Sequence, residues 1–223
     1  ARQDADGPYG AYRMRRGRRA DLYSSCDVAL MRVIMGEELK ETVVDDQRSE
    51  WIEHINSFAC PDGSYEDRFC HHALHANGMV VGALGPLGGR QPYAVQVYDE
   101  FDTPEKVTRW LEGIDWARQW SASHQFWGGF HCFSESARCT DEWRETVFAW
   151  LDTHADKETG WWKRGVEHAD RHQALGGFVH IIPIYQHQKR SYPYAERVID
   201  SVLAMQLPSG RWFEGSISNV MTY

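Results

Sequence analysis

Hydrophobic and polar positions repeat along the chain in a two-part unit, which predicts pairs of helices. In the first half of the unit, apolar residues fall on one face of a helix, as in residues 51–58 and 198–206. Glycine or Asp-Gly then ends that helix and turns the chain, and an aromatic residue follows. The second half, as in residues 72–84 and 176–185, is apolar on nearly all faces, which indicates a buried helix.

The unit recurs four times, with Trp51, Trp110, Trp150 and Ile199 at matching positions. A loose period of this length is typical of a repeated supersecondary unit, here an α/α hairpin. Such hairpins form a solenoid when the array stays open and a toroid when it closes into a ring. Residues 93–98 are the one candidate strand, and Asp102-Thr-Pro-Glu predicts the start of the helix that carries Trp110.

Two of the turn segments carry a family resemblance. Residues 58–65 and 204–213 resemble the Q-x-x-x-G-x-W/F repeats of the terpenoid cyclase and protein prenyltransferase superfamily, and the resemblance extends over most of residues 45–215. It implies an α/α toroid with its active site in a central cavity lined by the inner helices. About four hairpins are visible, fewer than closed toroids usually have. We therefore expect an all-α chain whose hairpins form a partial α/α toroid, truncated at its C-terminus, with residues 1–20 as an N-terminal arm and residues 21–223 as a single toroid domain.

Composition and charge narrow the classes of partner. The 223 residues carry a net charge of −8, which argues against nucleic acid as the main partner. No apolar stretch approaches the roughly 18 residues that span a bilayer, so we expect a soluble chain without a membrane partner. The five arginines between Arg13 and Arg19 are expected to form a solvated arm. Five cysteines without a C-x-x-C motif favour free thiols, and these lean toward a reducing, cytoplasmic compartment.

Histidine and aromatic residues gather after the predicted turns, where the inner helices begin. His131, for example, follows the second predicted turn, in Trp127-Gly-Gly-Phe-His131. Because equivalent ends of a hairpin array lie together, we expect these side chains to converge at one mouth. Histidine is neutral or charged near pH 7, so it suits general acid and base catalysis. Tryptophan stacks on sugar faces, although it also packs cores. The predicted substrate-binding residues are Trp127, Trp161, Trp162, Trp212, His71, His72, Asn77, His172, His180 and Glu214.

The predicted catalytic residues are His75, His131, Tyr65, Asp67 and Asp170. By residue type, the set His75, Asn77, Tyr65 and His131 resembles the Asn, His and Tyr of α/α-toroid polysaccharide lyases. That resemblance implies that the amide neutralises a uronate carboxyl group, that histidine takes a proton and that tyrosine acts as the acid. A glycoside hydrolase would instead use two carboxylates, and the candidates are Asp67, Asp170, Glu167 and Glu214.

Metal and cofactor sites are not predicted. His71 with His75, and His168 with His172, are spaced i, i+4 as metal ligands can be, but H-E-x-x-H is absent and no third ligand is indicated. The nearest approach to an Asp-rich terpenoid cyclase motif begins at Asp45, ahead of an outer helix, where we expect a helix cap and a solvated face.

The sequence therefore predicts a carbohydrate-active enzyme that cleaves a glycosidic bond in an aromatic- and histidine-lined cavity. Its expected partner is an oligosaccharide or another small-molecule substrate. Hydrolysis and elimination both stay open, as does the oligomeric state. Two alternatives remain: a non-catalytic toroid domain that binds a sugar or peptide within a larger protein, and an enzyme similar to the terpenoid cyclases.

Overall fold

The computed structural model describes residues 2–162 and 171–212, and these residues are mostly helical. The helices, in chain order, are α1 (Leu22–Ile34), α2 (Leu39–Thr42), α3 (Asp45–Asn56), α4 (Ala73–Leu87), α5 (Pro104–Gly113), α6 (Gln119–Ser134), α7 (Asp141–His154), α8 (Arg171–His187) and α9 (Ala195–Leu203). A two-stranded antiparallel sheet joins β1 (Arg2–Gln3) to β2 (Tyr12–Arg13). The all-α prediction is confirmed. Among the described residues, no helix is long and apolar enough to cross a membrane.

The chain divides into two compact units, residues 1–99 and residues 100–223. Unit 1 contains the small sheet and α1 to α4, and unit 2 contains α5 to α9. The predicted amphipathic segments form α3, α5, α7 and α9, and the predicted apolar segments form α4 and α8. The order of amphipathic and apolar helices along the chain is therefore the order that the sequence pattern indicates.

The core of unit 1 lies where α1, α3 and α4 meet. Trp51 and Ile55 of α3 are fully buried there, and small residues on α1 and α4, such as Ala29 and Ala83, let the helices approach closely. The N-terminal segment packs on the same tryptophan, because the rings of Tyr9 and Tyr12 lie 5.7 and 5.4 Å from the Trp51 ring.

In unit 2, aromatic residues fill the space between α5, α6 and α7. Trp143 is fully buried, and its indole Nε1 donates a hydrogen bond to the backbone oxygen of Phe101 at 2.6 Å. The contact between α6 and α8 is close because it is made by glycine. A Cβ on Gly176 would lie 2.5 Å from Cε3 of Trp120, so the indole ring occupies the space of the missing side chain.

Two local predictions are wrong. Residues 93–98 do not form a strand; the chain there enters a 3-10 helix, Gln96–Glu100. The segment from Trp127 to His131 is not a turn that precedes an inner helix, because Gly128 and Gly129 are buried inside α6. The connection before α6 is instead the short stretch around Asp115, whose side chain accepts a hydrogen bond from the backbone nitrogen of Ala117 at 3.2 Å.

Other local predictions hold. Thr103 caps α5 by accepting a hydrogen bond from the backbone nitrogen of Lys106, and Pro104 begins that helix. Asp45 and Asp46 lie exposed in the first turn of α3, as expected for a solvated helix start. The arginine-rich segment after Arg13 is exposed, as predicted for a solvated arm.

Candidate functional site

In unit 1, the first turns of α1 and α4 bring Tyr23 and His75 into contact. The phenol oxygen of Tyr23 lies 2.7 Å from Nδ1 of His75, and both side chains are buried. Each helix start is fixed by a side-chain cap just ahead of the functional residue. Asp21 accepts a hydrogen bond from the backbone nitrogen of Ser24, and Nδ1 of His72 accepts one from that of Leu74. The contact is thus set by two capped helix N-termini.

His71 completes this cluster from the residue ahead of the α4 cap. Its backbone N–H donates to the Tyr23 hydroxyl at 3.0 Å, and its ring stacks on that of His75 with centroids 5.4 Å apart. His71 was expected to share a helix with His75, which is wrong, because α4 begins after the cap residue His72. The two rings nevertheless lie side by side, and imidazole nitrogens are preferred ligands of Zn²⁺ and similar metals.

Burial defines the proton chemistry of the pair. It raises the pKa of Tyr23 above its ordinary value, so the phenol keeps its proton at neutral pH. Because its oxygen already accepts the His71 N–H, Tyr23 meets Nδ1 of His75 either by donating its own proton or by accepting the imidazole proton. In the second arrangement, the proton on Nδ1 makes Nε2 the basic nitrogen of His75.

Asp27 is a further titratable group on the same side of α1. It is one helical turn after Tyr23, a spacing that places both side chains on one face. Burial, followed by the negative charge of Asp21, raises the pKa of this carboxyl group. Among the described residues, no hydrogen-bond or salt-bridge partner binds the Asp27 side chain. A half-buried carboxyl group in this state is typical of functional sites.

Tyr65 and Asn77, which were predicted to act in catalysis and binding, fasten a loop to α4. The Tyr65 hydroxyl donates to Oδ1 of Asn56 at 2.7 Å. Both ends of the Asn77 amide are engaged by the backbone, since Oδ1 accepts from Tyr65 N at 3.1 Å and Nδ2 donates to the oxygen of Gly63 at 2.9 Å. The contacts of these two residues therefore hold the segment that leads into the site.

Asp67 and His72 likewise support helix starts. Asp67 accepts a hydrogen bond from the backbone nitrogen of Leu22 at 3.0 Å, and its carboxylate is 2% exposed. It also lies 3.4 Å from Nη2 of Arg19. Burial lowers the pKa of the His72 imidazole, in agreement with its role as the acceptor that caps α4.

Unit 1 has two cavities at the chain segments that lead into this cluster, although Tyr23, His71 and His75 line neither of them. One, of about 640 Å³, is lined by residues that include Arg19, Tyr65 and Cys70. The other, of about 310 Å³, is lined by residues that include Arg15 and Phe69. Their volumes lie in the range of small-ligand sites, about 300–1,000 Å³.

A second group of histidines lies in unit 2, between α6 and α8. The indole Nε1 of Trp120 donates to Nε2 of His124 at 3.0 Å, which fixes the proton of the neutral imidazole on Nδ1. Nδ1 of His180 lies 3.0 Å from the backbone oxygen of Gly176 and 2.9 Å from the Ser123 hydroxyl. His180 was a predicted binding residue, whereas His124 was not predicted.

The remaining predicted residues of unit 2 lie in different surroundings. Trp161 and Trp162 are buried, and Nε1 of Trp162 donates to the oxygen of Leu151 at 2.8 Å, so Trp162 packs the core. Trp127 stacks on His131 with centroids 5.4 Å apart, at the C-terminal end of α6. His172 and Trp212 are half-buried. Glu167, Asp170 and Glu214 lie outside the described residues.

Sequence reasoning missed Tyr23 and Asp27 because it did not assign α1. A signal was present: Asp27 stands inside an apolar run from Cys26 to Leu30, and burying an unpaired carboxylate costs free energy, so such a residue is a candidate for a functional role. Comparisons with protein-family models, with curated proteins and with solved structures found no match. The functional argument therefore rests on the contacts of the described residues.

Proposed function

We propose that the protein is a carbohydrate-active enzyme that cleaves a glycosidic bond, with Tyr23 and His75 as its proton-transfer groups. The observation that carries the proposal is the 2.7 Å contact between the Tyr23 hydroxyl and Nδ1 of His75. A phenol that stays protonated next to an imidazole supplies an acid and a base within one hydrogen bond. A cavity of about 640 Å³ in the same unit offers room for a ligand of sugar size.

We also propose that the hairpins form an α/α toroid, as the superfamily resemblance implies. Support comes from the alternation of amphipathic and apolar helices from α3 to α9. It also comes from the position of His75 in the first turn of α4, because the hairpin pattern leads us to expect functional groups where the inner helices begin.

Two reactions are compatible with this pair, and they assign different work to Asp27. In elimination, a base removes the proton on C5 of a uronate, that electron pair becomes the C4–C5 double bond, the C4–O bond breaks, and the leaving oxygen takes a proton. His75 and Tyr23 suffice for these two transfers. In hydrolysis, water adds across the bond and two carboxyl groups are normally required. Asp21 and Asp67 cap helices, so this cluster offers one of the two carboxyl groups, Asp27, and hydrolysis would need a second from elsewhere in the chain.

A screen of glycans tests the proposal, scored for new reducing ends and for the ultraviolet absorbance of unsaturated uronates. We expect Tyr23→Phe to lower turnover by roughly 10²- to 10⁴-fold, because it removes the transferable proton. Tyr185→Phe is the matched control. It too removes a buried tyrosine hydroxyl with a side-chain hydrogen-bond partner, here Oδ1 of Asp152 at 2.6 Å, but in unit 2. Equal turnover in the two variants would contradict the role of Tyr23.

Asp27→Asn distinguishes the two reactions. If the reaction is elimination, we expect this variant to keep turnover within about tenfold of the parent and to shift the pH profile, because a nearby negative charge is removed. If it is hydrolysis, turnover should fall by the same roughly 10²- to 10⁴-fold as in Tyr23→Phe. Binding of a glycan without either product, in the parent protein, would support the non-catalytic alternative and overturn the proposed activity.

A further inference from the structure

The arginine-rich arm and the loop after Tyr65 form a positively charged corner in unit 1. The smaller cavity is lined by Met14, Arg15, Arg18, Asp21, Arg68 and Phe69, and the larger cavity shares Arg68 with it. Three arginines thus face one carboxylate around the smaller cavity, whereas the larger cavity has Glu66 and Asp67 beside Arg19 and Arg68, so the excess of positive charge belongs to the smaller cavity. This local excess of positive charge occurs in a chain whose net charge is −8.

These arginines are available to a ligand. Among the described residues, no carboxylate forms a salt bridge with Arg15, Arg18 or Arg68. The one carboxylate of the smaller cavity, Asp21, is buried and accepts hydrogen bonds from Ser24 at 2.7 Å (backbone nitrogen) and 2.9 Å (hydroxyl). It therefore does not neutralise the guanidinium groups by direct pairing.

Apolar surface lies between the charges. The guanidinium carbon of Arg68 is 4.5 Å from the centre of the Phe69 ring, and Phe69 and Met14 are 39% and 57% exposed. An arginine held over an aromatic ring keeps its N–H donors in a planar fork that matches carboxylate and sulfate oxygens. An exposed ring beside it offers a face on which a sugar packs.

The charged corner is continuous in sequence with the segments that hold the Tyr23–His75 pair. The arm passes from Arg18 to the cap residue Asp21 and then to Tyr23. The loop passes from Arg68 to His71, whose backbone N–H contacts the Tyr23 hydroxyl. The two segments that carry the arginines therefore lead into the helix starts that hold the proposed proton-transfer groups.

We infer that this corner, with Arg15, Arg18 and Arg68, binds the negatively charged groups of an anionic glycan. The inference rests on the proposed function and specifies its substrate class. The charged groups are carboxylates of uronate residues or sulfate esters, which share the oxygen geometry that arginine binds. Cavities of 310 and 640 Å³ suit a few sugar rings rather than a duplex, and the negative net charge disfavours nucleic acid.

The test is the affinity of the full chain for four probes of similar length: an oligouronate, a sulfated glucan oligosaccharide, a neutral glucan oligosaccharide and single-stranded DNA. We expect both anionic glycans to bind more tightly than the neutral one, with the tighter of the two identifying the carboxylate or the sulfate. Added salt should weaken their binding. Equal affinity for the neutral glycan, or tighter binding of DNA, would overturn the inference.

The double variant R18Q/R68Q tests the site itself. We expect it to weaken binding of the anionic glycans by roughly tenfold per arginine, and to leave binding of the neutral glycan unchanged. The matched control R109Q/R118Q removes the same charge from two exposed arginines of unit 2 that line neither cavity. An equal loss in both double variants would show a general charge effect and overturn the site.

Failure of this inference and failure of the proposed function give different results. In Tyr23→Phe, we expect turnover to be lost while affinity for the anionic glycan is kept. If anionic glycans bind through Arg18 and Arg68 but are not cleaved, the binding site is supported and the proposed enzymatic activity is contradicted. If only neutral glycans are cleaved and R18Q/R68Q does not change that cleavage, the enzymatic activity is supported and the anionic binding site is contradicted.

Discussion

At the scale of single residues, burial shifts the protonation of three histidines toward the neutral form. It lowers the pKa of His54, His72 and His131, so the folded state favours their neutral forms. His72 uses a neutral ring nitrogen to cap α4, and His131 stacks on Trp127. Histidines that seemed equivalent in the sequence thus have a capping role and a packing role, and His75 has a phenol as its partner.

We expect acid to destabilise unit 2 through His131. An unfolded histidine takes up a proton at about pH 6.5, but the folded protein takes it up only at lower pH. The contribution of neutral His131 to stability is therefore complete above about pH 6.5, and it is lost as the pH falls through the lowered pKa of the folded state. Urea unfolding between about pH 7.5 and 5 should show a flatter pH dependence for His131→Gln than for the parent.

His187→Gln is the comparison variant, because the His187 side chain is 67% exposed and its charge is one of the smaller causes that lower the pKa of His131. We expect it to flatten the pH dependence less than His131→Gln does, because burial is the largest cause. A parent protein whose stability does not change over this pH range, or an unchanged slope in His131→Gln, would show that His131 is not the responsible group.

At the scale of elements, periodicity identified most helices, and it failed where small residues conceal a pattern. The amphipathic helices were predictable because their apolar residues repeat with the helical period, as Ile199 and Val202 do in α9. The start of α6 was misplaced because Gly128 and Gly129 have the composition of a turn, although burial within the core holds them in a helix. Helix α1 was missed, and with it Tyr23.

Sequence patterns likewise predicted one part of the candidate site and not the rest. His71 and His75 were predictable from their clustering after a turn. The partner of His75 was not, because Tyr23 is 52 residues away in sequence and only the packing of α1 on α4 brings the two together. The roles of Asp67 and Asn77 could not be predicted, since their hydrogen-bond partners are backbone atoms whose positions depend on the fold.

Close packing of α6 on α8 predicts a large effect of one methyl group. We expect Gly176→Ala to destabilise the protein by about 1–3 kcal/mol, because its Cβ would lie 2.5 Å from the Trp120 ring. Gly113→Ala is the control. It lies at the last position of α5, and no atom lies within 4 Å of its added Cβ, so we expect a change in stability of at most about 1 kcal/mol. Chemical denaturation measures both, and an equal destabilisation in Gly113→Ala would contradict the packing argument.

At the scale of the whole molecule, the two units have different compositions of core. Unit 1 is packed mainly with aliphatic and small residues around Trp51, whereas phenylalanine and tryptophan dominate unit 2. The Tyr23–His75 pair, the two arginine-lined cavities and their supporting loop all belong to unit 1. The proposed chemistry is thus concentrated in the first 99 residues.

We expect a fragment of residues 1–99 to fold without the rest of the chain. Its core cluster is drawn from its own helices, and its loop and caps are closed by its own hydrogen bonds. Circular dichroism and urea titration should show helical signal and a cooperative transition, which Trp51→Ala should abolish or lower by about 3–5 kcal/mol. A fragment with no cooperative transition would show that unit 1 depends on residues beyond Asp99.

The amide of Asn77 has a consequence for the ageing of the protein. Gly78 follows it, and an asparagine before glycine cyclises readily in a flexible chain, losing ammonia and leaving aspartate or isoaspartate. In the fold, α4 fixes this backbone, and two hydrogen bonds hold the side chain, so the reaction requires local opening. An aspartate formed in that way is unable to donate to the oxygen of Gly63, and the loop before the site closes less firmly. Deamidation of Asn77 during one opening would thus remove a hydrogen bond and make later openings of the same loop more frequent.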